Sequence, residues 1–215
     1  MRSIITHTNH SKDLRIRNGS TQPGEPALLW SEMTKGNEAA FCQVYNTFVK
    51  DLFSYASRIT KNKELIEDSV QDLFIEIWKS RDSLPQVKSV KFYLYKRIKR
   101  KIIRKLIESR KLPLTRNILE EYNFEITFSH EAELIKKQIS KEKQERLLKS
   151  LNKLTRRQKE AITLRFYDGL RNSEVAALLA MSPKSVRNLI YRAMIVLKDE
   201  MSVVLLLAIS EWYSL

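Results

Sequence analysis

Apolar side chains recur at steps of three and four along most of this chain, and this spacing constrains its fold more than any other feature. Residues 37–59 show it best, with Phe41, Val44, Tyr45, Phe48, Leu52 and Ile59 on one helical face. Residues 63–80 and 89–110 repeat the pattern. Only 4 glycines and 5 prolines occur in 215 residues, too few for a β-rich fold with many turns. We therefore predict an all-α protein.

The charge is strongly basic, since 39 Lys and Arg outnumber 25 Asp and Glu for a net charge of +14. Such an excess indicates a polyanionic partner, either nucleic acid or an anionic membrane surface. The longest apolar run, residues 203–209, is far shorter than the ~20 residues of a membrane-spanning helix. The N-terminus lacks the apolar segment of a signal peptide. We expect a cytoplasmic protein whose single cysteine, Cys42, is a buried core thiol.

The helix predicted for residues 63–80 has an unusual outer side. Its buried stripe would consist of Ile66, Val70, Leu73 and Ile77. The other side carries Asp68, Gln71, Asp72, Ile75, Glu76 and Trp78. Acids four residues apart repel each other by a few tenths of a kcal/mol, and taken alone they are typical of a solvated face. Ile75 among them favours a partner surface, and a metal site is a weaker reading because no histidine is near.

The helix predicted for residues 89–110 is densely basic on every side but its apolar one. Its cations are Lys91, Lys96, Arg97, Lys99, Arg100, Lys101, Arg104, Lys105 and Arg110. Glu108 is the single acid among them, and Phe92, Tyr93 and Tyr95 are interleaved near the start. A solvated face usually mixes both signs of charge. One sign together with aromatic rings favours contact with phosphates and stacking on bases.

Residues 172–198 have the pattern of a helix-turn-helix. A short apolar helix is followed by "AMS", and Ser182 and Pro183 are suited to the N-cap and first position of a second helix. That helix would present Lys184, Arg187, Asn188, Tyr191 and Arg192 outward. Arg can bind guanine and Asn can bind adenine in the major groove. A plain helical hairpin is the alternative.

The pattern divides the chain into five parts. We predict a disordered arm over 1–27, a helical domain over 28–110, a linker over 111–132, a second helical domain over 133–200 and an apolar tail over 201–215. The sequence shows no paired nucleophile and base, no cluster of metal ligands and no glycine-rich phosphate loop. We therefore expect no cofactor, no metal and no enzymatic activity.

Both predicted domains resemble one family, the extracytoplasmic-function (ECF) group of bacterial sigma factors. The resemblance lies in "EDSVQDLFIEIWKSRD", in "FYLYKRIKRKIIRKL", in "LNKLTRRQKEAITLRFYDGL" and in the helix-turn-helix. It implies that the first domain is like sigma region 2 and the second like sigma region 4. The expected partners are core RNA polymerase, promoter DNA and an anti-sigma regulator.

The resemblance also implies which residues carry each role. Polymerase would be bound through Asp68, Gln71, Asp72, Ile75 and Trp78. The downstream promoter element would be engaged and melted with the help of Tyr93, Tyr95, Lys96, Lys99, Arg100, Lys101 and Arg104. The upstream element would be read by Ser182, Lys184, Ser185, Arg187, Asn188, Tyr191 and Arg192.

Three positions depart from the family pattern. Arg100 stands where the family often has Asn, Arg104 where it often has Asp, and Ala180 where the corner usually has Gly. A left-handed backbone at Ala180 would cost about 1 kcal/mol relative to Gly. The alternative function is a helix-turn-helix repressor or activator that acts without core polymerase. A nucleic-acid enzyme would have to use the acids of residues 68–76, which make a poor metal cage because they share one helix.

Overall fold

The computed structural model describes residues 25–109, 122, 124–125 and 149–198. The helices in these ranges are α1 (Glu25–Thr34), α2 (Glu38–Ile59), α3 (Lys63–Lys79), α4 (Val90–Ser109), α5 (Arg156–Ile162), α6 (Asn172–Leu179) and α7 (Pro183–Lys198). A 3-10 turn (Arg81–Ser83) follows α3, and residues 149–153 are also helical. No strand occurs in the described residues. The prediction of an all-α fold with two helical domains is confirmed.

Helices α1–α4 form what we call the N-terminal module. The core lies between α2, α3 and α4, which pack against one another. Among its fully buried side chains are Val44, Leu52, Leu73, Ile77, Leu94, Ile98 and Ile102. Burying each such side chain contributes about 1.5–3 kcal/mol, so this apolar centre holds α4 in place. Leu73→Ala would leave a cavity there at a cost of about 2–5 kcal/mol.

Side-chain caps fix where several helices begin. Asn37 accepts a hydrogen bond from the backbone N–H of Ala40, and Asn62 accepts one from Leu65, which places the starts of α2 and α3. Thr155 and Gln158 form a capping box at α5. Asn and Thr are residue types preferred at helix N-caps, so the sequence itself marks these helix starts.

Helix α1 was not predicted. It begins at Glu25, inside the last residues of the expected disordered arm, and the rest of the arm lies outside the described residues. Trp30 and Met33 are fully buried. The Trp30 Nε1–H donates to the carbonyl oxygen of Pro85 at 3.0 Å, and the Trp30 ring meets that of Tyr93 edge to face at 5.0 Å. Helix α1 therefore supports the loop before α4 and the start of α4.

The prediction that Cys42 is buried is wrong, because its thiol is exposed. The buried positions of α2 include Ala40 and Val44. Each residue of an α-helix turns by about 100°, so Cys42 lies nearly opposite both of them. The apolar residues around Cys42 in the sequence belong to the other face of the helix.

Helices α5–α7, with residues 149–155 before them, form what we call the C-terminal module. Helix α5 runs into a π-helical turn, Thr163–Tyr167, in which the N–H of Asp168 donates to the carbonyl oxygen of Thr163 at 2.9 Å. The wider turn takes in one residue more than an α turn. Gly169 then ends the helix with φ +73°, a left-handed backbone that glycine adopts without strain.

The helix-turn-helix consists of α6 and α7. Ala180, at the end of α6, has φ 53° and ψ 42°, the left-handed conformation that glycine usually takes. Ser182 Oγ accepts the backbone N–H of Ser185 at 3.0 Å, which caps α7 directly before Pro183. Val186, Ile190, Ala193 and Leu197 are buried. The predicted corner and the predicted start of α7 are therefore present.

The two modules lie in contact, and buried residues of both form one apolar cluster. The expected linker, 111–132, is described only at three positions, and we call Tyr122, Phe124 and Glu125 the linker strap. Tyr122 and Phe124 are buried in the same cluster. Residues 133–148 of the expected second domain and the expected tail, 201–215, lie outside the described residues.

Candidate functional site

The acidic side of α3 divides into two surfaces. Asp68, Gln71 and Ile75 are exposed, and Ile75 retains 38% of its accessible area. Their spacing of three and four residues places them on one face. Trp78 is only half-buried, and its ring lies 4.9 Å from that of Phe41. The exposed residues Asp68, Gln71 and Ile75 are what we call the α3 outer face.

The other acids of α3 turn towards α4. Asp72 Oδ2 lies 2.8 Å from Lys105 Nζ. Glu76 forms ion pairs with Lys101 and with Arg97, the latter at 3.6 Å. These partly exposed pairs each contribute about 0–1 kcal/mol. Their main effect is to neutralise cations on one side of α4. Because Asp72 faces α4 and pairs with Lys105, it is not part of the α3 outer face.

The predicted DNA-contacting residues of α4 lie in three environments, because some are exposed to solvent, some contact other residues of the N-terminal module and some are buried. Lys96, Arg100 and Arg104 are exposed at steps of four residues and form one row, which we call the α4 row. Within it, Arg104 also pairs with Glu108 at 2.9 Å while 77% of its side chain stays exposed. Lys101 belongs to the ion pairs with α3.

The aromatic residues of α4 are less available than the sequence suggested. Tyr93 is half-buried against Trp30, and its hydroxyl accepts a hydrogen bond from Arg97 Nη1 at 2.8 Å. Tyr95 is fully buried and stacks on Tyr55 at 4.5 Å between ring centres. Neither ring is placed for stacking on a base in this arrangement.

A buried ion pair connects α2 to the C-terminal module. Arg58 Nη1 donates to both carboxylate oxygens of Asp168, at 2.9 and 3.2 Å, and both side chains are almost fully buried. Tyr95 Oη donates to the same carboxylate at 3.0 Å. Burial raises the pKa of Asp168, although Arg58 acts in the opposite direction. The buried ion pair between Arg58 and Asp168 therefore forms at a cost in desolvation free energy.

A second buried pair connects α4 to the C-terminal module. Lys99 Nζ donates to Glu160 Oε1 and to the carbonyl oxygen of Leu178, both at 2.9 Å. Tyr122 of the linker strap donates its hydroxyl hydrogen to the same Glu160 oxygen. Burial lowers the pKa of Lys99, partly offset by Glu160. Lys99, predicted to contact DNA, lies here inside the protein.

A third contact lies at the start of α4. Ser89 lies beside Glu174 of α6 and helps to lower the pKa of that carboxyl. The Ser89 hydroxyl accepts the N–H of Phe92 at 3.2 Å. Burial alone would raise the pKa of Glu174, but hydrogen bonds from Arg171 and Ser89 lower it. The same carboxylate accepts the backbone N–H of Arg171 at 2.8 Å, so it also caps α6.

Helix α7 presents its predicted residues outward. Lys184, Arg187, Asn188, Tyr191 and Arg192 are all exposed, with Tyr191 at 68%. Within the described ranges none of its three cations, Lys184, Arg187 or Arg192, forms an ion pair. Ser185 is half-buried, and its hydroxyl lies 2.8 Å from that of Ser182. We call this side of α7 the α7 outer face.

The residues that join the modules were not predicted from the sequence. Arg58, Glu160, Asp168 and Glu174 are charged side chains at buried positions. A signal existed for Arg58, because it stands between Tyr55 and Ile59 on the buried side of α2. Charged residues are almost never fully buried without a partner, so this position could have been marked as needing an acid. Nothing in the sequence indicated which acid.

Two models of conserved regions from one protein family match the chain. Sigma-70 region 2 matches residues 44–111, and Sigma-70, region 4 matches residues 144–197. Together they span more than half of the chain, in the order that the motifs predicted. No curated protein sequence matches.

Solved structures with a similar fold come from three complexes. CnrH, solved with the cytosolic domain of CnrY, is 23% identical; the match covers 81% of this chain and 95% of CnrH, with a TM-score of 0.49. The sigma factor RpoE of Bartonella quintana, solved with the anti-sigma factor NepR, is 21% identical over 74% of this chain and 94% of RpoE, with a TM-score of 0.46. The RsbN-BldN complex contributes a chain 18% identical over 80% of this one and 99% of its own length, with a TM-score of 0.31.

The chain belongs to the sigma-70 family of RNA polymerase sigma factors. The motifs quoted in the sequence analysis resemble those of the ECF group of that family. The predicted function in promoter-specific transcription initiation is thereby confirmed, and the alternative of a repressor acting without polymerase is not favoured. The family consists of initiation factors and not of enzymes.

Two negative findings concern the described ranges alone. None of their helices has the length and apolar character needed to cross a membrane. No group of three or more His, Cys, Asp or Glu side chains in them is placed to hold a metal ion.

Proposed function

We propose that this sigma factor distributes its three contacts over three separate surfaces. The α3 outer face would bind core polymerase, the α4 row would contact the downstream promoter element, and the α7 outer face would read the upstream element. The observation that carries this assignment is that all three surfaces are exposed, and that the two basic ones lie on different modules. Two linked contacts on one DNA raise the effective concentration of the second, so weak individual sites suffice.

The polymerase contact is proposed for Asp68, Gln71 and Ile75. An exposed apolar residue flanked by polar ones is typical of an interface centre with a hydrated rim. Trp78 is half-buried, so it would pack beside these three residues and not contact polymerase directly. Asp72, which the sequence resemblance assigned to polymerase, would act on α4 through Lys105.

The upstream contact is proposed for α7. Arg187 and Asn188 lie in the first turns of the helix, where a recognition helix meets base edges. Arg192 lies one turn further and would meet phosphate. The hydroxyls of Ser182 and Ser185 would contact the backbone of the DNA from the start of the helix.

We also propose that the protein works in the cytoplasm, acts by binding without chemistry of its own, and has a protein inhibitor. The sequence resemblance implies an anti-sigma regulator. Tyr191 and Ile195, one turn apart on α7, are 68% and 46% exposed. An apolar pair beside Arg192 favours a protein regulator that covers the α7 outer face and excludes DNA.

A reconstituted run-off assay tests the proposed function. Sigma-free core polymerase is mixed with the purified protein and with promoters from cells that overexpress it. We expect transcripts at a small set of promoters. Changing the spacer between the two elements by about five base pairs, half a turn of DNA, should abolish them because the two surfaces then face different sides. Tight promoter binding without polymerase, and no transcript with it, would contradict the proposal.

The docking surface is tested by Asp68→Lys. Its matched control is Glu67→Lys, which makes the same charge change at an exposed position of α3 that points about 100° away. We expect Asp68→Lys to abolish retention on immobilised core polymerase and Glu67→Lys to keep it, with equal far-UV circular dichroism. Equal retention of both variants would remove the α3 outer face from the proposal.

A further inference from the structure

The α4 row consists entirely of hydrogen-bond donors. Lys96 carries an ammonium group, and Arg100 and Arg104 each carry a guanidinium; all three side chains are exposed. Neither kind of group has an acceptor atom. The row can therefore donate to an anion or to an acceptor atom of a base, but it cannot accept a hydrogen bond from the amino group of adenine, cytosine or guanine.

The acids beside α4 do not supply the missing acceptor. Glu108, one turn after Arg104, pairs with its guanidinium at 2.9 Å. The acids of α3 that face α4 pair with cations outside the row. A carboxylate in such a pair is directed at its cation and not at a base. The row is thus a surface that donates hydrogen bonds and carries positive charge.

The aromatic rings of α4 do not add a stacking surface to the row. Tyr95 is fully buried and stacks on Tyr55. Tyr93 is half-buried, edge to face with Trp30, and Phe92 packs against the apolar cluster. Proteins that hold single-stranded bases commonly do so by stacking them on exposed rings. That means of holding a base is not available beside the row.

The α7 outer face offers a different set of groups. The amide of Asn188 contains both a donor and an acceptor, and the hydroxyl of Tyr191 can act as either. Both side chains are exposed beside Arg187. Adenine presents a donor next to an acceptor, and an amide can pair with both. The two basic surfaces therefore differ in hydrogen-bonding chemistry, although both carry positive charge.

We propose that the α4 row binds the phosphates of the downstream strand and reads none of its bases, so that it adds affinity without sequence preference. The proposal rests on the proposed function, which assigns the row to the downstream element. Every nucleotide carries a phosphate acceptor, so a row of donors finds partners whatever the sequence is. Neighbours in the row are about 6 Å apart along the helix axis, which is comparable to the spacing of phosphates along an extended strand.

The residue at position 100 carries much of this difference. Arg100 stands where the related family often has Asn, and this exchange removes an acceptor from the row while adding a positive charge. Base reading by the protein then falls to surfaces other than the row, among them the α7 outer face. Promoters should accordingly tolerate base changes at the positions beside the row.

One alternative use of the row is bidentate binding of guanine by Arg100. A bidentate base contact discriminates against the wrong base by about fivefold or more, whereas a phosphate contact does not discriminate. Lysine distinguishes these two uses, because it keeps the positive charge but lacks the planar fork of arginine. Arg100→Lys should therefore preserve a phosphate contact and lose a bidentate base contact.

The test uses the holoenzyme formed from core polymerase and the full chain. The DNA carries an intact upstream element and a premelted downstream segment whose bases are randomised. Bound DNA is separated and sequenced for the parent, Lys96→Ala, Arg100→Ala and Arg100→Lys, and binding of the pool is titrated at several salt concentrations. Arg187→Ala is the control, because it removes a guanidinium from an exposed position of α7 and is assayed on a pool randomised in the upstream element.

We expect Lys96→Ala and Arg100→Ala to weaken binding of the whole pool. Each should reduce by about 0.7 the slope of log binding constant against log salt concentration. The enrichment of the four bases at every downstream position should stay within about twofold of the parent, below the discrimination of a base contact. Arg100→Lys should match the parent in slope and enrichment. Arg187→Ala should change the enrichment at one upstream position by about fivefold or more.

A change of about fivefold or more in the base preference at a downstream position, in Lys96→Ala or Arg100→Ala, would overturn the proposal. The same change in Arg100→Lys would assign base reading to the guanidinium and overturn it as well. Unchanged salt slopes in both alanine variants would mean that the row contacts no phosphate. Run-off transcription by the parent tests the proposed function separately, so transcripts together with any of these results would count against the role of the row alone.

Discussion

Helices α4 and α7 have the same kind of sequence and different surroundings. Both are basic and amphipathic, and both were predicted to face DNA. The predicted cations of α7 are exposed, and no described residue forms an ion pair with them. Those of α4 are divided among the acids of α3, the C-terminal module and solvent. A basic composition therefore predicts that a helix attracts anions. Whether a given cation binds DNA or an acid of the protein itself depends on which residues the fold places beside it.

The largest expected effect separates the two sides of α7. Ile190 is 2% exposed, while Ile195, on the same helix, is 46% exposed. Ile190→Ala should lower the free energy of unfolding by about 2–5 kcal/mol through the cavity that it leaves. Ile195→Ala should change it by about 0.5 kcal/mol or less. Urea unfolding measures both, and an equal loss would mean that the outer face of α7 is covered in solution.

The next effect concerns base reading by α7. Arg187→Ala should weaken binding to the preferred upstream sequence by about 1–3 kcal/mol and relax the preference at one base pair. Arg192→Ala, its charge-matched control, should weaken binding to all sequences alike. It should also reduce by about one the slope of log binding constant against log salt concentration. Anisotropy titrations on a matched and a mutated duplex, at several salt concentrations, measure this. Identical profiles for both variants and the parent would refute the assignment.

A smaller effect should appear inside α4 itself. Arg100 is exposed, whereas its neighbour Lys101 is paired with Glu76. In complex with polymerase, Arg100→Ala should reduce the salt slope for the single-stranded downstream element by about 0.7, the value for one phosphate contact. Lys101→Ala should reduce it less, because Glu76 already neutralises that charge. If the two variants have equal slopes, the pairing with α3 does not persist in the complex.

The smallest effect concerns the corner before α7. Ala180 has a left-handed backbone, and Ala180→Gly should raise the melting temperature of the C-terminal module, with a gain of at most about 1 kcal/mol. The greater freedom of glycine in the unfolded chain reduces that gain. Differential scanning calorimetry of the full chain measures it. A lower melting temperature would show that the strain at Ala180 is smaller than the entropy that glycine adds.

Local features of the structure were predictable from the sequence because their causes are local. The caps at Asn62 and Thr155, the stop at Gly169 and the start of α7 after Ser182 each depend on a few neighbouring residues. The exposed residues of α7 followed from periodicity alone. These are the features for which short-range hydrogen bonds and backbone preferences decide the outcome.

The module contacts were not predictable for the opposite reason. Arg58 and Asp168 are 110 residues apart, and Lys99 and Glu160 are 61 apart. No helical periodicity relates such positions, so the sequence cannot show that a buried cation has found its acid. Cys42 illustrates the same limit on a smaller scale: apolar neighbours in the sequence do not establish on which side of a helix a residue lies.

The π turn at Thr163–Tyr167 has a consequence for changes in chain length. Because the wider turn absorbs one residue, the chain beyond it keeps its direction despite the addition. Deleting one of these five residues should convert the π turn into an ordinary α turn. Deleting a residue within α6 would instead rotate everything after it by about 100°. A deletion of a single residue should therefore be accommodated better at the π turn than in the middle of α6.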